Sequence, residues 1–396
     1  MFIKELNRIC PICGSNRGKV LGTVKMALGK GINLPTEYDI TTCSICGFAF
    51  ADTTSKQEDY NAYYKSDNCY SYEGEIKSEQ KKQSIYCMTE FLSKHISKDD
   101  RILDIGCGSG DLLIALRNNG YKELTGLDPA EASVQCLIKE GIKGIKRNIF
   151  EICDNNGQKF DVIVSTCVLE HICDLNGFIN IALSYLREGG KIFIVVPAVE
   201  GFEKYYQSKP NYFNHEHINY FSKNSLTNLM GSHGCESIDK NNGEFYVVEP
   251  RLGIKDLMLQ NIFIYKDNLV YKQQIDTVSE KSISNFWRQC TDEDRRILDI
   301  INKLTLIDDK CIVWGAGSLS MQLMTCEEFA KHVAFFVDNN REKWGKEISG
   351  SVIYEPAIIK EIEYSNLPII VACMQNSDAI INQIQDMKVK NAVLVY

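Results

Sequence analysis

Apolar residues along this chain fall into short clusters separated by helix-length segments. Between residues 101 and 197, RILDI, TGLD, FDVIVSTCV (160–168) and GKIFIVVP (190–197) are apolar runs of strand length. DLLIALRNNG, after the first run, predicts a helix ending at a glycine. Residues 73–95 also read as helical. Apolar strands alternating with helices predict a parallel sheet covered on both faces. From about residue 251 this rhythm stops, and DLMLQNIFIYKDNLVYKQQIDTVSEKSISNFWRQCTDEDRRILDIINKL reads as long polar helices forming a connector. At 310 a second strand–glycine–helix unit begins, KCIVWGAGSLSMQLM, followed by HVAFFVDNN, GSVIYEP, LPIIVACM and NAVLVY. That order predicts a second small doubly wound domain.

The first 68 residues lack this rhythm and carry two CxxC knuckles, Cys10-Pro-Ile-Cys13 and Cys43-Ser-Ile-Cys46, each followed by glycine. Four thiolates at this spacing suit a tetrahedral zinc, and an all-cysteine set leaves no open position for catalysis. So small a segment buries little apolar surface, so the metal is expected to stabilise it. Next comes DYNAYYKSDNCYSY (59–72), whose tyrosines are expected either to pack against the zinc module or to line a substrate pocket.

Composition narrows the partners. A chain of 396 residues holds two or three domains. Net charge is −8, with no basic run, which disfavours a nucleic-acid partner but leaves room for a diphosphate-bearing ligand. No apolar run reaches the roughly 18–20 residues of a membrane span, and the N-terminal MFIKELNRICPICG has no apolar signal region. The expected location is cytoplasmic, where sixteen cysteines read as thiols and metal ligands. Cys107, Cys136, Cys167, Cys311 and Cys373, lying in apolar runs, are expected to be buried.

Two glycine loops carry candidate cofactor chemistry. In LDIGCGSG, Gly106, Gly108 and Gly110 let backbone approach a ligand, and Asp128, 20 residues past Gly108, ends the next strand where ribose hydroxyls would be held. Asp104 precedes the glycines. A carboxylate there suits a ligand with a cationic end better than a pyrophosphate. In the second loop, Gly315-Ala316-Gly317-Ser318 with Asp338, Leu319 and Ser320 occupy the positions where a third glycine would fall. A Rossmann-like unit without its own cofactor is expected there.

LDIGCGSG, GLD, FDVIVSTCVLEH and LREGGKIFIVVP together resemble a class I S-adenosylmethionine-dependent methyltransferase. The resemblance implies that Gly106, Gly108 and Gly110 surround the methionine end, that Asp128 holds the ribose, and that Asn148, Ile149 and Phe150 lie near the adenine. The whole chain is similar to the zinc-containing three-domain sugar C-methyltransferases acting on nucleotide-linked 4-keto-6-deoxy sugars. The implied fold class is α/β: an N-terminal zinc-binding module (1–68), a central Rossmann-like methyltransferase core (69–250), and a helical connector with a C-terminal Rossmann-like domain (251–396).

That family carries a Tyr-His-Glu-His motif after the fifth core strand. Here it reads Asn214-His215-Glu216-His217, followed by Tyr220-Phe221-Ser222. The resemblance makes His217 the general base, and neutral imidazole suits proton removal near neutral pH. Asparagine replaces the family's tyrosine, so an enolate would need its donor from elsewhere, with Tyr64 or Tyr220 the candidates. An O-methyltransferase acting on a sugar or sugar-phosphate would need only a base beside a hydroxyl, and an inactive binding protein is a third reading. His171, in VLEH, is read as structural or adjacent to the cofactor, while His95, His233 and His332 are given no role. The expected partner is a nucleotide-linked sugar or related small molecule.

Overall fold

The computed structural model describes residues 2–30, 32–65, 79–151, 157, 159–203, 209–239, 244–248, 255–307, 309–364, 366–373 and 377–395. Residues 66–72 of the tyrosine-rich stretch, residues 73–78 of the expected helix and the two expected boundaries at 68 and 250 lie outside these. The chain divides into two compact units. One comprises 1–22, 39–207 and 216–286, the other 23–38, 208–215 and 287–396.

The core of the first unit is one twisted sheet. Five strands run parallel: Ile102–Ile105, Leu124–Asp128, Lys143–Lys146, Phe160–Thr166 and Leu186–Pro197. The Ile102–Ile105 strand lies between Leu124–Asp128 on one side and Phe160–Thr166 on the other. The order therefore reverses beside it, and a crevice opens there at the carboxyl ends of the strands. Alternate side chains serve opposite faces. Leu103, Ile105, Ile163, Ile192, Ile194 and Val196 join one buried cluster, and Ile102, Val162, Val164, Phe193 and Val195 join another. Phe178, Ile179 and Ala182 of helix Leu175–Tyr185 close the first face, while Leu112, Leu113 and Leu116 of helix Asp111–Asn118 close the second. Burying each such side chain contributes about 1.5–3 kcal/mol.

Two expectations need correction. The segment read as the start of a helical connector contains an eleven-residue strand, Lys255–Tyr265, antiparallel to Leu186–Pro197. Leu257, Leu259 and Phe263 face one core cluster, and Met258 and Ile262 the other. A strand buried on both faces shows a continuous apolar run, which periodicity cannot tell from a helix. The sheet thus continues past the expected boundary at 250, and helices begin only at Ser279–Gln289 and Thr291–Ile307.

The cysteine-rich segment is likewise not a separate body. Its strands Ile3–Glu5, Arg17–Lys25, Glu37–Cys43 and Ala49–Asp52 make a sheet whose last strand, Asn219–Tyr220, arrives from beyond the central sheet. Cys10, Cys43, Cys46, Phe48 and Phe50 belong to the same buried cluster as Ile105 and Ile194. The small segment gains its core by sharing one.

The second unit has a sheet in the order Glu347–Ile348, Ser351–Tyr354, Val333–Val337, Cys311–Trp314, Ile369–Val371 and Val393–Val395. All neighbouring pairs except the first are parallel. The five apolar runs read from residue 310 onward all form strands, in a doubly wound arrangement like that of the first unit.

Candidate functional site

The crevice beside Ile102–Ile105 opens into a cavity of about 340 Å³. Gly106 and Gly108 form its floor in left-handed backbone, φ +75° and +52°. A Cβ on Gly106 would fall 2.5 Å from a methyl of Val168, so only glycine fits there. Gly110 takes another role: it precedes helix Asp111–Asn118 at φ +76°, and a Cβ there would strike Leu137 at 2.2 Å. It is a packing glycine and does not line the cavity.

Asp128 stands on the wall. Its Oδ2 accepts the Gly108 N–H and its Oδ1 the Ala130 N–H, both at 2.9 Å, so one carboxylate ties the loop to the next strand. Burial pushes its carboxyl above the ordinary range despite these bonds. Asn148 and Ile149 line the far side, where Asn148 Nδ2 donates to Asn61 Oδ1 at 2.9 Å. Asp104 is not on the wall. It is 1 % exposed inside its strand, and burial first, then Asp128, raises its carboxyl to about 7. Its Oδ1 has no hydrogen-bond partner among the described residues. Cys167, expected to be buried, is exposed with φ 55° and lines the cavity. Cys107 and Cys311 are buried, and Cys136 and Cys373 partly so.

At the cavity's edge the chain assembles two imidazoles. His171 lines the wall, and His217 packs edge-on against it with ring centroids 4.8 Å apart. Helix Gln57–Lys65 supplies two phenols. Tyr64 Oη is 2.9 Å from His171 Nδ1, and Tyr63 Oη donates to Glu216 Oε1 at 2.6 Å. His171 Nδ1 also meets the Glu216 carbonyl at 3.1 Å. A carbonyl only accepts, so in the neutral ring Nδ1 carries the proton and Nε2 keeps its lone pair. Glu170 Oε1 lies 3.9 Å from that Nε2. Glu170 is 3 % exposed, and burial raises its carboxyl to about 8.

Of the residues singled out from sequence, Gly106, Gly108, Asp128, Asn148, Ile149 and Tyr64 share the cavity wall. Glu216 and His217 reach its edge through His171, the first by its carbonyl and the second by ring contact. Asn214 and His215 are buried in the other compact unit, with the Asn214 carbonyl accepting from Tyr38 Oη at 2.8 Å. Tyr220 pairs with Ala49 in the cysteine-rich sheet and is 2 % exposed, so it is not a wall residue. Sequence reasoning missed Gln57, Asn61 and Glu170. The first two sit one helical turn apart on the Tyr64 helix, a signal visible only once that helix is placed.

The four cysteines converge. Cys10 and Cys46 Sγ are 3.5 Å apart, Cys13 and Cys43 Sγ are 3.4 Å apart, and all four lie within 4.8 Å of one another. Sulfurs at about 2.3 Å from a tetrahedral ion lie at such separations, so the donor set can bind a metal. Gly14 and Gly47, at φ +74° and +80°, turn the two knuckles alike. Each donates its N–H to the carbonyl of the knuckle's first cysteine, at 2.9 and 3.0 Å.

Residues 82–240 match the family model of a methyltransferase domain, and residues 307–394 match that of the C2185-like N-terminal family. Human mitochondrial ubiquinone biosynthesis O-methyltransferase is 31% identical over 103 residues, 24% of this chain and 28% of the relative. The Bartonella quintana (strain Toulouse) ubiquinone biosynthesis O-methyltransferase is 26% identical over 154 residues, 35% of this chain and 62% of the relative. The chain thus spans less than two thirds of these relatives' length. The magnesium protoporphyrin IX methyltransferase of Synechocystis PCC 6803, solved with bound SAM, is 14% identical and covers 53% of this chain and 97% of its own. Its TM-score is 0.37, too loose a likeness to argue from. Residues 82–240 thus carry a methyltransferase domain. No helix among the described residues is long and apolar enough to cross a membrane.

Proposed function

We propose that this chain is an S-adenosylmethionine-dependent methyltransferase that methylates carbon in a nucleotide-linked 4-keto deoxy sugar. The observation that carries the reading is the His171–His217 pair at the edge of the glycine-floored cavity, with the Tyr64 hydroxyl beside it. The bound sulfonium supplies an electrophilic methyl group. Gly106, Gly108 and Asp128 hold the cofactor by backbone and carboxylate, and Asn148 and Ile149 flank its base.

A ketone's α-carbon becomes nucleophilic only when its C–H bond breaks. His217 takes that proton at a ring nitrogen, and the electron pair moves into the enolate. Tyr64, already within hydrogen-bond distance of His171 Nδ1, donates to the enolate oxygen in place of the phenol that Asn214 lacks. The Tyr63–Glu216 hydrogen bond fixes the loop that carries His217. The cysteine cluster binds one structural zinc ion through Cys10, Cys13, Cys43 and Cys46 and takes no part in the chemistry.

Incubating the chain, cofactor and a nucleotide 4-ketosugar in heavy water is expected to place deuterium at the α-carbon and yield a C-methyl product. Neither exchange nor product would overturn the reading. A second reading, methyl transfer to oxygen, draws on the similar ubiquinone biosynthesis O-methyltransferases. In that case His217 takes a hydroxyl proton, no α-exchange occurs, and the product's methyl carbon resonates as an O-methyl.

A further inference from the structure

Arg8 lies two residues before Cys10 and is 8 % exposed. Its backbone N–H donates to Asp52 Oδ1 at 2.8 Å, which anchors it in the cysteine-rich sheet. Its guanidinium reaches elsewhere. Nη1 donates to the Ile218 carbonyl at 3.1 Å, and Nη2 to the carbonyls of Cys173 at 2.7 Å and Ile172 at 3.3 Å. Nη2 also donates to Asn219 Oδ1 at 2.8 Å, and Asn219 Nδ2 in turn donates to the Leu169 and Ile172 carbonyls, both at 2.7 Å. Ile172 follows His171, and Ile218 follows His217. One guanidinium therefore holds the residue after each imidazole, in loops some 45 residues apart in sequence.

Among the described residues no carboxylate pairs with this guanidinium, so a buried cation is held by neutral acceptors and by the Phe50 ring, whose centroid lies 5.5 Å from its Cζ. Such burial is a poor way to gain stability, since desolvation of the charge offsets much of what the bonds return. It does fix geometry: a planar fork with five N–H donors sets the separation of two loops as no single ammonium can.

We propose that Arg8 is a positioning residue that transmits the shape of the cysteine-rich sheet to the His171–His217 pair. The inference rests on that pair being the acceptor site, but its test does not. The full chain, with its imidazoles labelled at ring carbon Cε1 and assigned through His171→Gln and His217→Gln, reports the contact by NMR. Arg8→Gln and Arg8→Ala are expected to lose the His171–His217 cross-peak and to shift both rings' titration. Affinity for S-adenosylmethionine should change less than turnover, because Arg8 itself does not line the cavity and reaches its wall only through Ile172 and His171. Turnover is expected to fall on the order of 100-fold, the cost of misplacing a reacting group by about 1 Å. Added guanidinium should restore cross-peak and turnover in Arg8→Ala, whereas Arg8→Lys should recover little of either.

Folded Arg8 variants with an intact cross-peak and wild-type titration would overturn the proposal. Loss of the near-UV circular dichroism signal in all three variants would also overturn it, since Arg8 would then be required for the fold itself. If His171→Gln and His217→Gln leave methyl transfer intact, the reading of the active site fails while the cross-peak experiment still decides Arg8's role.

Discussion

The two glycine loops are built alike and end differently. In the first unit Asp128 accepts N–H groups from Gly108 and Ala130. In the second Asp338 accepts them from Ala316 and Asn340, both at 2.8 Å. A carboxylate at the end of the second strand thus locks each loop. Beyond that the two part. Among the described residues no lysine or arginine lies within ion-pair distance of Asp128, which faces a cavity. Asp338 carries the Lys343 ammonium at 3.1 Å, and the same nitrogen donates to the Ala316 carbonyl at 3.0 Å. The second loop is closed by its own side chain. The same backbone device borders an open cavity in one unit and an internal ion pair in the other, and what fills the space beside the carboxylate makes the difference.

The comparison is most easily broken at the imidazoles beside the first loop. His217→Ala is expected to cut turnover by about 10²–10⁴-fold while leaving S-adenosylmethionine affinity intact, measured by product formation alongside calorimetry. Asp128→Ala should weaken cofactor binding about 10- to 100-fold, and Asp338→Ala should leave it unchanged; equal losses at both would end the contrast. Metal removal sharpens a different part of the first unit. Cys13→Ser with Cys43→Ser, or a strong chelator, should release one zinc per chain and lower the melting temperature of that unit, read by metal analysis and calorimetry.

A subtler effect concerns pH. Burial raises the Glu170 carboxyl to about 8 in the folded chain, above the ordinary carboxylate range, so between about pH 4.5 and 8 the folded state binds the extra proton. Stability is therefore expected to fall as pH rises through that window. Glu170→Gln should flatten the decline, measured as melting temperature against pH. The smallest effect belongs to Lys343→Met, worth about 0–1 kcal/mol by urea unfolding, because Lys343 is a partly exposed partner.

Much of this was legible in the chain. Strands buried on both faces leave apolar runs, left-handed turns leave glycines, and thiolate ligands leave paired cysteines, so the parallel core, the Gly106–Gly108 floor and the Cys10–Cys46 cluster could be read directly. Lys255–Tyr265 could not, because an apolar run of that length fits either a helix or a strand until a neighbour claims its backbone. The role of Gly110 was misplaced because packing against Leu137 and ligand contact both demand glycine.

The sequence by itself determined which local conformations were affordable: where φ could be positive, where a strand could be apolar on both sides, and where sulfur could gather. Only the tertiary structure decided which of those pieces meet. Arg8 and Asn219 are 211 residues apart and meet through a hydrogen bond, Tyr64 and His171 through another, and Lys343 closes one loop while the other stays open. The reason is physical. Local propensity acts over a few residues, whereas partner choice among distant polar groups is set by which surfaces are buried together and which donors are left needing an acceptor.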